Sequence, residues 1–118
     1  MKKIYYLSTC DTCKRIMKEL GIGEEFEKQD IKTEAITESQ LDEMATLAGT
    51  YECLFSRVAR KYKAMGLKDQ TLTEEDYKRL ILEEYTFLKR PVFLIEGEIF
   101  IGNSKKNIQN VAEKLQGN

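Results

Sequence analysis

The sequence contains no histidine, a single proline and only three cysteines among its 118 residues. Without histidine, a Ser/His catalytic arrangement is excluded, and three cysteines cannot supply the four nitrogen or sulfur ligands of a usual zinc site. The chain also has no glycine-rich loop of the phosphate-binding type and no carboxylate pair of the acid–base type. The sequence therefore predicts no metal site within one chain and leaves cysteine chemistry as the main catalytic option.

Long hydrophobic runs are absent as well, and no segment resembles a signal peptide. The formal net charge of −1 argues against a general affinity for nucleic acid or for a membrane surface. We therefore expect a cytoplasmic protein that contacts neither nucleic acid nor membrane directly. Because cytoplasmic cysteines are mostly reduced, a transient catalytic or sensing disulfide is favoured over a structural one.

The length predicts one domain over residues 1–118, large enough to bury a core without disulfides or metal. Apolar periodicity predicts the order β-α-β, then a helical insert at about 37–88, then β-β-α. The segments outside the insert are a strand at 3–7, a helix at 11–20, a strand at 25–31, a hairpin at 92–101 and a helix beginning after Ser104.

The residues that carry chemistry are Cys10 and Cys13, spaced as CxxC between a strand-like run and a helix-like segment. Cys10 falls in the loop and Cys13 in the first turn, so the two sulfurs can approach each other. Unpaired backbone N–H groups and the positive end of the helix dipole favour a thiolate there, with Lys14 and Arg15 adding positive charge. Cys10 is the candidate nucleophile; an incidental pair and a metal site shared between chains are the alternatives.

The insert carries clear helix signals. Thr37 and Gln40 fit a capping box, Gly49 fits a helix stop, and Thr73 fits an N-cap before an acidic first turn. Residues 54–65 keep apolar positions at helical spacing and are predicted to be helical. The inward face of the first insert helix is predicted to consist of Leu41, Met44, Ala45, Leu47 and Ala48.

Arg90-Pro91 stands directly before a buried-type strand, where a proline is tolerated at the first position or on an edge. An X-Pro bond is the kind that adopts cis geometry at low cost, which makes this junction a candidate for a cis bond and Pro91 a structural residue. Cys53 lies in an apolar context and is interpreted as a small core residue.

The element order, the CxxC and the proline together form a thioredoxin-like outline, an α/β fold with a mixed four-stranded sheet. The sequence resembles the ArsC/Spx group, which comprises glutaredoxin-linked arsenate reductases, Spx-type transcription regulators and their relatives. The resemblance covers almost the whole chain. It rests on Cys10-Asp11-Thr12-Cys13-Lys14, Asp30-Ile31-Lys32, Leu54-Phe55-Ser56-Arg57 with Tyr62 and Leu67 beyond, and Lys89-Arg90-Pro91-Val92.

The resemblance to the arsenate reductases implies a thiol-dependent oxidoreductase in which Cys10 attacks arsenate, or another small oxyanion or thiol substrate. Cys13 would be the second member of the redox pair and would resolve the Cys10 intermediate. No bound cofactor is expected. Glutathione with glutaredoxin, or thioredoxin, would supply electrons, which makes a redoxin an expected partner.

The same resemblance implies arginines that stabilise the oxyanion adduct. Arg90 matches the arginine before the cis proline of these enzymes. Arg57 lies close to the position of their insert arginine, and Arg60 is the alternative for that role. Thr12 is a weaker candidate for oxyanion binding. The third arginine of the family has no counterpart, because Gly102-Asn103 stands at its place.

An Spx-type redox-sensing regulator that binds RNA polymerase would use the same CxxC pair. The stretch Gly49-Thr50-Tyr51-Glu52 resembles the Gly-Thr-containing segment near the polymerase contact of those regulators, so Gly49 is a candidate partner contact. Its simpler role is a helix C-cap. A non-catalytic partner-binding module is the third alternative.

Overall fold

The computed structural model describes residues 1–117. The chain folds into two compact units. The first unit consists of residues 1–35 and the chain from Arg90 onward, and the second is Ile36–Lys89. The second unit corresponds closely to the helical insert predicted at about 37–88. The prediction of a single domain over residues 1–118 is not decided by this division and stays a prediction.

The first unit is built on a sheet that, among residues 1–117, has four strands: β1 (Lys2–Tyr6), β2 (Glu27–Asp30), β3 (Val92–Ile95) and β4 (Glu98–Ile101). Their order is β2-β1-β3-β4. Strand β1 pairs in parallel with β2 and antiparallel with β3, and β3 pairs antiparallel with β4. The predicted mixed four-stranded sheet is confirmed, although β2 begins at Glu27 rather than Glu25.

In the described part of this unit, residues 1–35 and 90–117, the chain forms the helices α1 (Asp11–Glu19) and α5 (Lys105–Leu115). Cys13 and Ile16 are the buried residues of α1, and Ser104 caps α5 by accepting a hydrogen bond from the Asn107 N–H. Apolar side chains from these helices and from the sheet form one buried cluster: Ile4, Ile16, Phe26, Phe93, Ile95 and Val111. This cluster fixes α1, and therefore the CxxC segment, against the sheet.

The hairpin and the proline junction follow the sequence signals. The β3–β4 turn has positive φ at Glu96 (49°) and Gly97 (83°), the combination that suits a two-residue hairpin loop. The Arg90-Pro91 bond is cis, and the Pro91 carbonyl accepts the Gly102 N–H at 2.9 Å. Pro91 therefore precedes β3 without removing a donor from its ladder.

The second unit contains α2 (Glu38–Ala48), α3 (Arg60–Ala64) and α4 (Glu74–Glu83). Capping boxes begin α2 at Thr37 and α4 at Thr73, where the reciprocal partners are Gln40 and Asp76. Phe55 is fully buried among aromatic neighbours, its ring centroid lying 4.9, 5.0 and 6.0 Å from those of Tyr77, Phe87 and Tyr62 respectively. Within residues 1–117, no helix of the chain has both the length and the apolar character that membrane crossing requires.

Two predictions about the helices of this unit are wrong. Residues 54–65 do not form one helix: a 3₁₀ turn at Glu52–Leu54 leads into extended backbone that is hydrogen-bonded to the segment before Arg90, with Ser56 N–H donating to Phe87 O at 2.7 Å. Val58, an apolar residue within this segment, is 93% exposed. Leu47 is 41% exposed, because the buried face of α2 is limited to Leu41, Met44 and Ala45.

Candidate active site at the N-terminus of the first helix

Cys10 is the N-cap residue of α1. Its backbone is extended (φ −96°, ψ 110°), its N–H donates to Leu7 O at 3.0 Å, and its carbonyl accepts the Lys14 N–H at 3.2 Å. The side chain of an N-cap residue projects toward the N–H groups of the second and third helical residues, here Thr12 and Cys13. The sequence thus places a sulfur where helices usually place a hydroxyl or carboxylate oxygen.

Cys10 and Cys13 differ in their exposure. Cys10 is half-buried, whereas Cys13 has no exposed surface. The Cys10 sulfur is therefore accessible to a small molecule in the folded protein, whereas the Cys13 sulfur is not.

The pKa of Cys10 lies below its ordinary value. Partial burial opposes this shift, but the Cys13 backbone N–H, the Cys13 thiol, the positive charge of Arg90 and the Thr12 N–H together outweigh it. The Cys10 side chain makes no cap hydrogen bond of ordinary geometry, and the lowered pKa reflects the combined effect of these neighbouring groups. The site favours ionisation of the accessible sulfur.

The pKa of Cys13 shifts in the opposite direction, to about 11. Burial is the main cause. A backbone hydrogen bond with Leu7 acts the other way, and the neighbouring Cys10 sulfur raises the value further. The pair thus combines a half-buried, accessible thiolate with a buried thiol that serves as its hydrogen-bond donor, as expected of a nucleophile and a resolving cysteine.

Arg90 belongs to the same unit and is half-buried beside the pair. Its positive charge lowers the pKa of both sulfurs. The cis bond to Pro91 follows it directly, and β3 begins at the next residue. Of the sequence-predicted site residues, the first unit therefore contains Cys10, Thr12, Cys13, Arg90 and Pro91.

Arg57, Arg60 and Gly49 lie in the second unit, and their predicted roles stay predictions. The Arg57 guanidinium donates from Nη2 to Glu52 Oε2 at 2.9 Å and to the Tyr77 hydroxyl at 3.0 Å, and its Cζ lies 5.7 Å from the Tyr77 ring centroid. Arg60 is the exposed first residue of α3. Gly49 ends α2 at a φ of 102°, a conformation that favours glycine, which gives this residue a structural reason.

The prediction that Cys53 is a core residue is wrong, because its side chain is exposed. The 3₁₀ turn at Glu52–Leu54 buries Leu54 and directs Cys53 outward, where its sulfur accepts a hydrogen bond from Thr50 Oγ1 at 3.0 Å. The apolar neighbours in sequence are buried without covering it.

Sequence reasoning assigned no role to Ser8 or Asp30, whose side chains are hydrogen-bonded beside Cys10. The Asp30 carboxylate accepts hydrogen bonds from Ser8 N–H at 3.2 Å and from Ser8 Oγ at 2.5 Å. The resemblance had pointed to Asp30 only as part of a family motif. Among residues 1–117, no group of three or more His, Cys, Asp or Glu side chains is placed to hold a metal ion.

The β2-β1-β3-β4 sheet, a CxxC pair at the start of the helix after β1 and a cis-proline before β3 define a thioredoxin-like thiol protein. Within that class the chain belongs to the ArsC family, whose family model matches residues 5–111. No curated protein matches the sequence significantly.

Solved structures share the fold over nearly their whole length. The YffB (PA3664) protein superposes with a TM-score of 0.79 at 20% identity, covering 98% of this chain and 99% of that one. An arsenate reductase from Vibrio cholerae gives 0.75 at 16% identity, covering 95% of each chain. The SACOL0876 protein from Staphylococcus aureus COL gives 0.71 at 25% identity, covering 93% and 97%. The predicted family and fold class are confirmed.

Proposed function

We propose that this protein is a cytoplasmic thiol-dependent oxidoreductase of the arsenate reductase type, with Cys10 as nucleophile and Cys13 as resolving cysteine. The observation that carries the proposal is the opposite perturbation of the two sulfurs: the pKa of half-buried, accessible Cys10 is lowered and that of buried Cys13 is raised. The Arg90 charge acts on both sulfurs. Membership of the ArsC family supports arsenate as the substrate.

In the first step the Cys10 thiolate attacks the arsenic atom of arsenate. A sulfur–arsenic bond forms, and one arsenic–oxygen bond breaks as a hydroxyl takes up a proton and leaves as water. Arsenic stays in its +5 state. The remaining oxyanion charge lies beside Arg90, whose planar guanidinium can hold two oxygens at once.

In the second step Cys13 loses its proton and attacks the Cys10 sulfur. The disulfide forms, the sulfur–arsenic bond breaks, and its electron pair stays on arsenic, which leaves as arsenite in the +3 state. The two sulfurs together lose the two electrons that arsenic gains. Glutathione with glutaredoxin, or a thioredoxin, then returns two electrons and restores both thiols.

A redox regulator would use the same Cys10–Cys13 disulfide without reducing arsenate. For an Spx-type contact with RNA polymerase, the sequence offered Gly49, whose helix-ending conformation accounts for the glycine without a partner. The enzyme is therefore the better-supported proposal, and the regulator is the reading that takes its place if arsenate turnover is absent.

The decisive variant is Arg90→Lys, which keeps the charge and removes the planar fork. Arsenate turnover with glutathione and glutaredoxin is expected to fall roughly 10- to 150-fold, the rate equivalent of about 1.5–3 kcal/mol for a hydrogen bond to a charged group. The rate of peroxide oxidation of the Cys10–Cys13 pair should barely change, because it needs only sulfur proximity and an ionised thiol.

Arg79→Lys is the matched control, since Arg79 is an exposed arginine of α4 that pairs with Asp76 and Glu83. It should leave both rates unchanged. If the wild-type protein oxidises normally but shows no arsenate turnover, the arsenate proposal is wrong. Equal loss in Arg90→Lys and Arg79→Lys would remove the specific role of Arg90.

A further inference from the structure

Asp30 ends β2 at the edge of the Cys10 loop. Strands β1 and β2 are parallel and in a register that pairs Tyr6 with Asp30, so the end of β2 lies beside the first residues after β1. The Asp30 carboxylate accepts three hydrogen bonds there: Ser8 N–H at 3.2 Å, Ser8 Oγ at 2.5 Å and Lys32 N–H at 3.2 Å. Both carboxylate oxygens are therefore engaged.

Ser8 lies two residues before Cys10, in the short loop between β1 and α1. The far end of that loop is closed by the bond from Cys10 N–H to Leu7 O at 3.0 Å. The loop is therefore fixed at two points: Asp30 of β2 binds Ser8, and the Leu7 carbonyl binds the Cys10 N–H. With the Cys10 N–H used in this way, the backbone donors that act on the Cys10 sulfur are those of Thr12 and Cys13.

We propose that Asp30 is a positioning residue for the nucleophile: by fixing Ser8 it keeps the Cys10 sulfur directed at the Thr12 and Cys13 N–H groups. This inference rests on the proposed use of Cys10 as a thiolate nucleophile. Asp30 touches neither substrate nor sulfur and acts through the loop.

A positioning role and a direct electrostatic role predict opposite results. A negative charge near a thiolate disfavours its ionisation, so removing the Asp30 charge would by itself lower the pKa of Cys10. Loss of the hydrogen bonds to Ser8 instead releases the loop and weakens the donors to the sulfur, which raises the pKa. The titratable and charged groups that act directly on Cys10 are Cys13 and Arg90, and Lys32 is the charged group facing Asp30.

The test is the pH dependence of Cys10 alkylation by iodoacetamide, measured in a Cys53→Ser background so that the exposed third thiol does not contribute. Asp30→Ala is expected to raise the midpoint of the profile by about one pH unit, the scale of a lost hydrogen bond to an ionised group. Asp30→Asn keeps one acceptor for Ser8, so it should raise the midpoint less than Asp30→Ala does. Ser8→Ala should give a smaller rise than Asp30→Ala, and combining the two should add little.

Glu25→Ala is the matched control. Glu25 also accepts a backbone N–H, from Gly23 at 3.2 Å, but it lies before β2, at the opposite end of the sheet from Cys10. Its profile should match that of the parent protein.

If Asp30→Ala does not fold, as judged by a missing cooperative unfolding transition, Asp30→Asn and Ser8→Ala decide the question. An unchanged midpoint in the folded Asp30 and Ser8 variants, or a lowered one in Asp30→Asn, overturns the positioning role. A parent protein whose Cys10 reacts like an ordinary thiol overturns the proposed function itself, so the two failures are distinguishable.

Discussion

At the scale of single residues, the site depends on the different environments of two chemically identical side chains. Cys10 occupies an N-cap, where backbone donors and Arg90 stabilise its anion, whereas three positions later Cys13 is enclosed by the packing of α1 on the sheet. The spacing of CxxC allows this contrast, because one sulfur precedes the helix and the other faces inward from its first turn. Burial then decides which of the two sulfurs is accessible from solvent.

The exposure difference predicts a simple labelling result. Iodoacetamide applied to the folded, reduced protein should modify Cys10 and Cys53 and leave Cys13 unmodified, since Cys13 has no exposed surface. Peptide mass mapping before and after unfolding measures this directly. Labelling of Cys13 in the folded protein as rapid as that of Cys53 would contradict the burial that the mechanism requires.

At the scale of secondary-structure elements, local signals determine where the insert helices begin. Thr73 and Asp76 exchange hydrogen bonds at the start of α4, with Asp76 N–H donating to Thr73 Oγ1 at 3.2 Å and Thr73 N–H donating to Asp76 Oδ2 at 2.9 Å. Thr73→Ala should lower the free energy of unfolding by about 1 kcal/mol, the usual cost of losing such a cap. Urea denaturation measures the change.

Thr71→Ala is the matched control for that variant. Thr71 is an exposed threonine two residues before the N-cap, outside the helix. A loss of stability in Thr71→Ala equal to that in Thr73→Ala would show that the cap hydrogen bonds are not the cause.

The same elements show which structural features can be predicted from the sequence and which cannot. The capping box at Thr37, the N-cap at Thr73, the cis-capable proline and the CxxC loop were predictable because their determinants lie within a few neighbouring residues. The segment after Leu54 was predicted wrongly because its conformation is set by a hydrogen bond to a segment distant in sequence, from Ser56 N–H to Phe87 O. Ser8 and Asp30 are 22 residues apart in sequence, and their contact likewise depends on the register of two parallel strands, which periodicity does not specify.

At the scale of the whole molecule, carboxylates with lowered pKa values make the free energy of unfolding depend on pH. The pKa of Asp30 is lowered: burial opposes the shift, and the hydrogen bonds from Ser8 and Lys32 outweigh it. That of Glu84 is lowered in the same way, against burial, by Thr86 and Lys61. A carboxyl whose pKa is lower when folded than when unfolded stabilises the protein above its unfolded pKa, and this stability is lost as the pH falls through the folded value.

The expected outcome is a thermal unfolding midpoint that is steady near neutral pH and falls as the pH drops below about 5, where unfolded carboxyls begin to bind protons. In Asp30→Asn the unfolding midpoint should fall less steeply with decreasing pH, because one carboxyl with a lowered pKa has been removed. Glu113→Gln, which changes an exposed carboxyl on α5, serves as the control. A decline as steep in Asp30→Asn as in the wild-type protein would show that Asp30 does not contribute.

The central claim, that Cys10 and Cys13 form the redox pair, is tested most directly by mapping the disulfide after oxidation. Cys53 is exposed and accessible to peroxide, so it can compete with Cys13 for disulfide formation with Cys10. One equivalent of peroxide should link Cys10 to Cys13, leave Cys53 as a free thiol, and give the same product in Cys53→Ser. A dominant bridge between Cys10 and Cys53, or oxidation of Cys10 that stops short of any disulfide, would contradict the account.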